Sequence, residues 1–164
     1  MATFSFDIVS EYDKAEMNNV FALTQKEISN RYDFKGTPAE LDWMGDKAGF
    51  KLVGANEWQV DSIIDIIRKK LAQREQSSKL LDLSKAAVIS NLKTTKEIPF
   101  KAGLDQDKAK TITKLIREQL PKIKPQIQGE SVRVVSNSKD DLQTAMQLVK
   151  NHDFDFPISF TNFR

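Results

Sequence analysis

The 164-residue chain holds 25 Lys and Arg against 23 Asp and Glu, with 40% hydrophobic and 29% charged residues, so a packed core is available and wholesale disorder is excluded. It has no cysteine, which excludes disulfides, thiol nucleophiles and thiolate metal sites. No apolar run approaches the roughly 18 residues a membrane span needs, and MATFSFDIVS lacks a basic region followed by an apolar one; a cytoplasmic protein with no membrane partner is expected.

Taken in chain order, TFSFDIV alternates apolar and polar residues as a half-buried strand does. Asp13 with Glu16 has the spacing of a capping box and opens a helix expected to run to about Tyr32. RYDFKG (31–36) then reads as the entrance of a strand, whose alternation would put Tyr32 and Phe34 on one side and Arg31, Asp33 and Lys35 on the other. AELDW and GFKLV flank a turn at 44–47, in which Gly45 is expected to take the positive φ. Asn56 with Gln59 caps a helix whose apolar stripe is Val60, Ile63, Ile64, Ile67 and Leu71, and LLDLS is expected as a short closing strand.

The order then recurs. TKEIPF is a strand, Asp105 caps a helix to about Leu120, PQIQ and VRVVS meet at Gly129, Ser138 caps a helix from Lys139 to about Asn151, and FDFPISF is expected as a last strand with Phe154, Phe156, Ile158 and Phe160 on one face. The second half is a copy of the first. Val53, Val60, Ile64, Ile66 and Ile67 fall on Val135, Leu142, Met146, Leu148 and Val149 at an offset of 82, and Val20, Leu23 and Ile28 fall on Ile112, Leu115 and Leu120 at an offset of 92. The ten-residue difference is absorbed in the first hairpin. The expected fold class is α+β, a tandem duplication of two ferredoxin-like βαββαβ domains, residues 1–91 and 92–164, each an antiparallel sheet with two helices on one face.

Charge divides unevenly between the copies. Residues 1–84 hold 11 Lys and Arg against 14 Asp and Glu, and residues 85–164 hold 14 against 9, a difference of −3 and +5 that points to an anionic ligand on the C-terminal side. Catalytic and metal-binding sets are not evident. The single histidine, His152, stands just past a helix end, where it interacts with the helix dipole. Asp105, Asp107, Asp140 and Asp141 fall in opening helical turns, where acids offset the macrodipole. Phosphate-cradling glycine loops, an HExxH pair and an EF-hand loop do not occur, and neither does the aromatic run of RNA-recognition modules on GFKLV or SVRVV. A non-catalytic protein with no cofactor and no metal is expected.

Several strings carry a more specific signal. SFDIVSE (5–11), RYDFKG (31–36), IQG (127–129), VRV with KDDLQ (132–143) and FTNFR (160–164) together resemble the YajQ family of bacterial proteins, in order and over essentially the whole chain. The resemblance implies a cytosolic protein of two ferredoxin-like domains that binds nucleotides, with cyclic di-GMP, RNA and other nucleotides proposed as ligands in the family. It also implies that the two first strands are exchanged, residues 3–9 pairing within the C-terminal sheet and 95–100 within the N-terminal one.

The residues themselves leave two roles open for RYDFKG. Either Phe34 enters the core and the charged set faces water, or Arg31 and Lys35 neutralise phosphate while Asp33 accepts from a guanine edge. Two further ligand-binding candidates lie in the basic half: Gln128, Arg133 and Lys139 near the second hairpin and helix start, and the terminal Asn162, Phe163 and Arg164 as a base-binding patch. The expected function is binding of a guanine nucleotide or cyclic di-GMP near the groove between the domains. The protein would act as a monomeric signalling receptor toward a nucleic-acid or transcription-factor partner. The alternatives are an RNA- or DNA-binding module using the basic half, and a protein-interaction adaptor presenting its uncovered sheet faces.

Overall fold

The computed structural model describes residues 3–164. Within them the chain forms two compact units, Tyr12–Lys101 and a second made of the segment ending at Glu11 with Ala102–Arg164.

In the first unit, α1 (Lys14–Asn30) begins where the Asp13 side chain accepts the Glu16 N–H at 3.1 Å. It buries Met17, Val20, Thr24 and Ile28, one stripe at helical spacing. Strands β2 (Glu40–Trp43) and β3 (Gly49–Gly54) form a hairpin that opposes Leu41 to Leu52. The α2 helix (Glu57–Gln73) starts with a reciprocal cap: Asn56 accepts from the Gln59 N–H at 2.8 Å, and the Gln59 side chain accepts from the Ala55 N–H at 2.6 Å. Strand β5 (Lys93–Pro99) lies between β3 and the short edge strand β4 (Val88–Ser90), giving the order β2-β3-β5-β4. Phe50, Leu52, Leu41 and Ile98 from the sheet meet Val60, Ile63, Ile67 and Leu71 of α2 in one core. Gly49 is required there. A Cβ would stand 2.7 Å from the Pro99 Cα and in collision with the Ile98 carbonyl oxygen, so β3 and β5 approach as closely as they do only with glycine at this point.

The second unit repeats the plan. Its sheet has the order β6-β7-β1-β8, formed by β6 (Lys124–Gln128), β7 (Ser131–Ser136), β1 (Phe4–Val9) and β8 (Ser159–Thr161). In this sheet β1 pairs antiparallel with both β7 and β8. Helices α3 (Gln106–Gln119) and α4 (Lys139–Asn151) are capped by Asp105 and Ser138. They bury Ala109, Ile112 and Ile116, and Leu142, Ala145 and Val149, against Phe6, Ile8, Val132 and Val134. The duplication is physical as well as textual: Val20 and Ile112, Val60 and Leu142, and Ile67 and Val149 are all buried at equivalent places. Two four-stranded antiparallel sheets, each with two helices, make the two ferredoxin-like folds. Strands β1 and β5 each pair in the sheet otherwise built from the other copy of the repeat, β1 with β7 and β8, and β5 with β3 and β4.

Four local expectations are corrected. RYDFKG is a single 3-10 turn over Tyr32–Phe34 and not a strand entrance, so Tyr32 is 88% exposed while Phe34 is only 4% exposed and sits in the core. The reason lies at Arg31, whose extended φ/ψ ends α1; the N–H groups of Phe34, Lys35 and Thr37 then bond three residues back, to Arg31, Tyr32 and Phe34, and the chain leaves through Gly36 at φ +74°. In the β2–β3 turn the left-handed residues are Asp46 and Lys47, at φ 56° and 57°, in place of Gly45. LLDLS makes one isolated bridge, Leu81 to Phe100, and the sheet edge is supplied by β4. Strand β4 joins β5 through Asn91 and Leu92, both at positive φ as a two-residue hairpin turn demands. Finally, only Ser159 and Phe160 of FDFPISF are strand, in β8, which runs on to Thr161; Phe154 and Phe156 reach the core from irregular chain ahead of Pro157, which cannot donate to a ladder.

Candidate functional site

The candidate residues fall into two groups, one per unit. Arg31, Asp33, Phe34 and Lys35 lie at the end of α1. The turn brings the Arg31 guanidinium onto Asp33, with Nε donating to Oδ1 at 3.0 Å and Nη2 to Oδ2 at 2.7 Å. Glu27, one helical turn earlier, stands 3.9 Å from the same guanidinium and also pairs with Lys70 at 3.0 Å. The bond from Arg31 holds the Asp33 carboxyl below the ordinary range and raises the Arg31 pKa in return. The guanidinium carbon also lies 4.7 Å from the centre of the Phe34 ring. Arg31 is thus engaged by two carboxylates and a ring, Phe34 is a core residue, and Lys35 is exposed at the turn's exit.

The second group is organised by a residue that sequence patterning did not single out, Asp7. It lies mid-strand in β1, is 8% exposed, and faces Arg133 across the β1–β7 pair. Arg133 donates to it from Nε at 3.0 Å and from Nη2 at 3.4 Å, and Asn162 donates from Nδ2 at 2.9 Å. The Arg133 bond is the chief cause of a lowered Asp7 pKa; desolvation opposes it, and Asn162 and the charge of Arg164 add to it. A signal for Asp7 was present, since SFDIV and VRVV each carry one lone charge, of opposite sign, in an otherwise apolar or small-residue strand.

Asn162 reaches Asp7 because the chain bulges there. Asp7, Ile8 and Val9 oppose Thr161, Phe160 and Ser159, a register that would place Phe163 opposite Ser5. Ser5 instead exchanges both backbone hydrogen bonds with Arg164, at 3.1 and 2.9 Å. The extra residue is accommodated by Asn162 at φ 57°, a left-handed conformation that Asn tolerates. Its Oδ1 accepts from Arg164 Nε at 3.4 Å. Phe163 is thereby turned onto Phe6, centroids 6.3 Å apart and stacked, the residue as a whole staying 63% exposed.

Lys139, the first residue of α4, places its ammonium 5.0 Å from the ring centre of Phe4. Phe4 and Phe6 are two apart on β1 and share a face, so the rings that Lys139 and Phe163 contact lie on the same side of that strand. Gln128 lies exposed at the β6–β7 turn, where its carbonyl accepts from the Ser131 hydroxyl. The structure therefore brings together Arg133, Asn162 and Arg164 around Asp7, and sets Lys139 against Phe4 and Phe163 against Phe6 of β1.

A family described as "Nucleotide-binding protein YajQ-like" matches residues 4–164. The chain belongs to this YajQ-like family. Similar proteins over full length include a nucleotide-binding protein of Nocardioides sp. (strain ATCC BAA-499 / JS614), 41% identical over 165 residues and 100% of both chains. Another, from Streptomyces coelicolor, is 43% identical over 166 residues and 100% of both chains. A nucleotide-binding protein of Nostoc punctiforme is 39% identical over 163 residues, 99% of each. The curated YajQ-like relatives carry binding names and not enzyme names.

His152 caps α4 with its ring 4.3 Å from that of Phe154. Asp105 caps α3, and Asp140 and Asp141 occupy the first turn of α4. Among the described residues no group of three or more His, Asp or Glu is placed to hold a metal ion, and no helix is long and apolar enough to cross a membrane.

Proposed function

We propose that this YajQ-like protein binds a guanine nucleotide or cyclic di-GMP without catalysing a reaction, and that it acts as a signalling receptor whose bound state is passed to a protein or nucleic-acid partner. What supports this is the pairing of an exposed ring with an ammonium on one side of β1: Phe163, backed by Phe6, offers a face for a base, and Lys139 stands where a phosphate would follow. Asp140 and Asp141 in the first turn of α4 favour a ligand held by side chains over one seated on the helix amides. Arg31 and Asp33 are assigned to the fold, since each satisfies the other.

The test is calorimetric titration with cyclic di-GMP, GTP and GMP. Phe163→Ala should weaken binding by about 5- to 100-fold, the worth of one stacked base, and Lys139→Ala should weaken it further, whereas Arg31→Ala should leave it within about twofold. Absence of heat with every guanine nucleotide at millimolar concentration overturns the proposal. Affinity confined to oligonucleotides and falling steeply with salt would replace it by RNA or DNA binding.

A further inference from the structure

The unit Tyr12–Lys101 contains a cavity of about 180 Å³ where the start of α1 meets the β2–β3 turn. Its lining combines Tyr12, Lys14 and Asn18 with Trp43, Asp46 and Lys47. One face of the Trp43 indole is covered by Phe21, 4.5 Å away and nearly parallel. The Lys47 ammonium lies 5.3 Å from the ring centre and donates to Asn18 Oδ1 at 3.1 Å. Among the described residues Lys14 and Asp46 have no ion pair and no side-chain hydrogen bond. Two ammonium groups, an unpaired carboxylate and an anchored indole therefore converge on one small space. The two residues that carry its charge on the turn, Asp46 and Lys47, are held in the left-handed conformation although Gly45 stands beside them.

We infer that this cavity is a second, separate nucleotide site, selective for a guanine base. Its volume corresponds to about six waters, room for one base but not for a whole nucleotide. The base would lie on the Trp43 face that Lys47 now covers, and the displaced ammonium, held by a single hydrogen bond, would move with Lys14 to the phosphate at the mouth. Asp46 selects the base. A carboxylate accepts two parallel hydrogen bonds from the N1–H and N2–H of guanine, whereas adenine presents no such pair of donors on one edge. The site shares with the preceding proposal the premise that the chain takes nucleotides, but none of its residues.

The chain's two tryptophans allow a direct test. Trp58 is 67% exposed near the start of α2, so Trp58→Phe leaves Trp43 as the sole indole reporter in the full chain. Titration with GMP should quench Trp43 emission saturably. AMP should bind about tenfold or more weakly, the cost of losing hydrogen bonds to a charged group. Asp46→Asn should remove that preference, and because asparagine accepts the left-handed backbone the variant should fold. Adding Phe163→Ala should leave the Trp43 response unchanged. A Trp43 emission indifferent to millimolar GMP, or quenched equally by GMP and AMP, overturns this inference. If calorimetry still shows binding that Phe163→Ala weakens while Trp43 stays silent, the first proposal stands and this one fails; if no nucleotide binds by either readout, both fail.

Discussion

Replacing Asp7 by alanine removes the acceptor of three hydrogen bonds, two of them at 3.0 and 2.9 Å and one longer, at 3.4 Å. Bonds to a charged group contribute about 1.5–3 kcal/mol each, so the two short ones alone set a scale of about 3 kcal/mol. The Arg133 side chain is 29% exposed and can turn back to water, which lowers the expected loss to about 2 kcal/mol. Both tryptophans lie in the other unit. The assay is therefore urea unfolding followed by far-ultraviolet circular dichroism, with hydrogen exchange of the β1 amides as the local readout. The loss should depend on pH in a defined sense. Because the folded carboxyl titrates below its unfolded value of about 3.9, its contribution is complete above about pH 5 and disappears as pH falls through the folded value. The gap between wild type and Asp7→Ala should thus be constant from pH 5 to 8 and should close in acid. Equal stabilities at pH 7, or a gap unchanged at about pH 2, would refute this account of the network.

Gly49→Ala should destabilise the Tyr12–Lys101 unit by about 2 kcal/mol or more in thermal unfolding followed by tryptophan emission, since backbone of β5 occupies the space of the new methyl. Ile63→Ala, at a site with no exposed surface, should cost about 3 kcal/mol in the same measurement. Leu92→Gly should act in the opposite direction. Leu92 is 93% exposed and held at φ 65°, so relief of the left-handed strain should outweigh the entropy of glycine and raise stability by about 0.5–1 kcal/mol in urea unfolding.

Helices were the most legible part of the fold because their signals are local. Asp13, Asn56, Asp105 and Ser138 all cap as their spacing predicts, and the stripes through Val60 and Ile67 face the core. Hairpins were legible from alternation, and the second turns at Gly129, at φ 59°, as read; in the first, glycine freedom pointed to Gly45, while the turn assigned its positive φ values to Asp46 and Lys47. RYDFKG misled because a three-residue 3-10 turn and a strand entrance share composition, and what separates them is the set of hydrogen bonds from Phe34, Lys35 and Thr37 to carbonyls three residues back. The partners of β1 and β5 could not be read from periodicity, which records which face is apolar and not which strand lies alongside. The candidate site was legible as residue types and not as pairings. Arg133 and Asn162 were visible, yet their common acceptor, Asp7, lies more than a hundred residues away in sequence and becomes a neighbour only through sheet register and a one-residue bulge.

The position of β1 bears on how the chain is made. Its partner β7 is synthesised about 120 residues later, a delay of about 6–25 s at ribosomal speeds of about 5–20 residues per second. Residues 12–101 form an uninterrupted stretch and can collapse early, whereas Phe6 and Ile8 must wait, solvated or shielded by a chaperone, for the later strands to emerge. Until β7 is made, the hydrogen-bonding edges of β1 stand unpaired, open to any other extended strand.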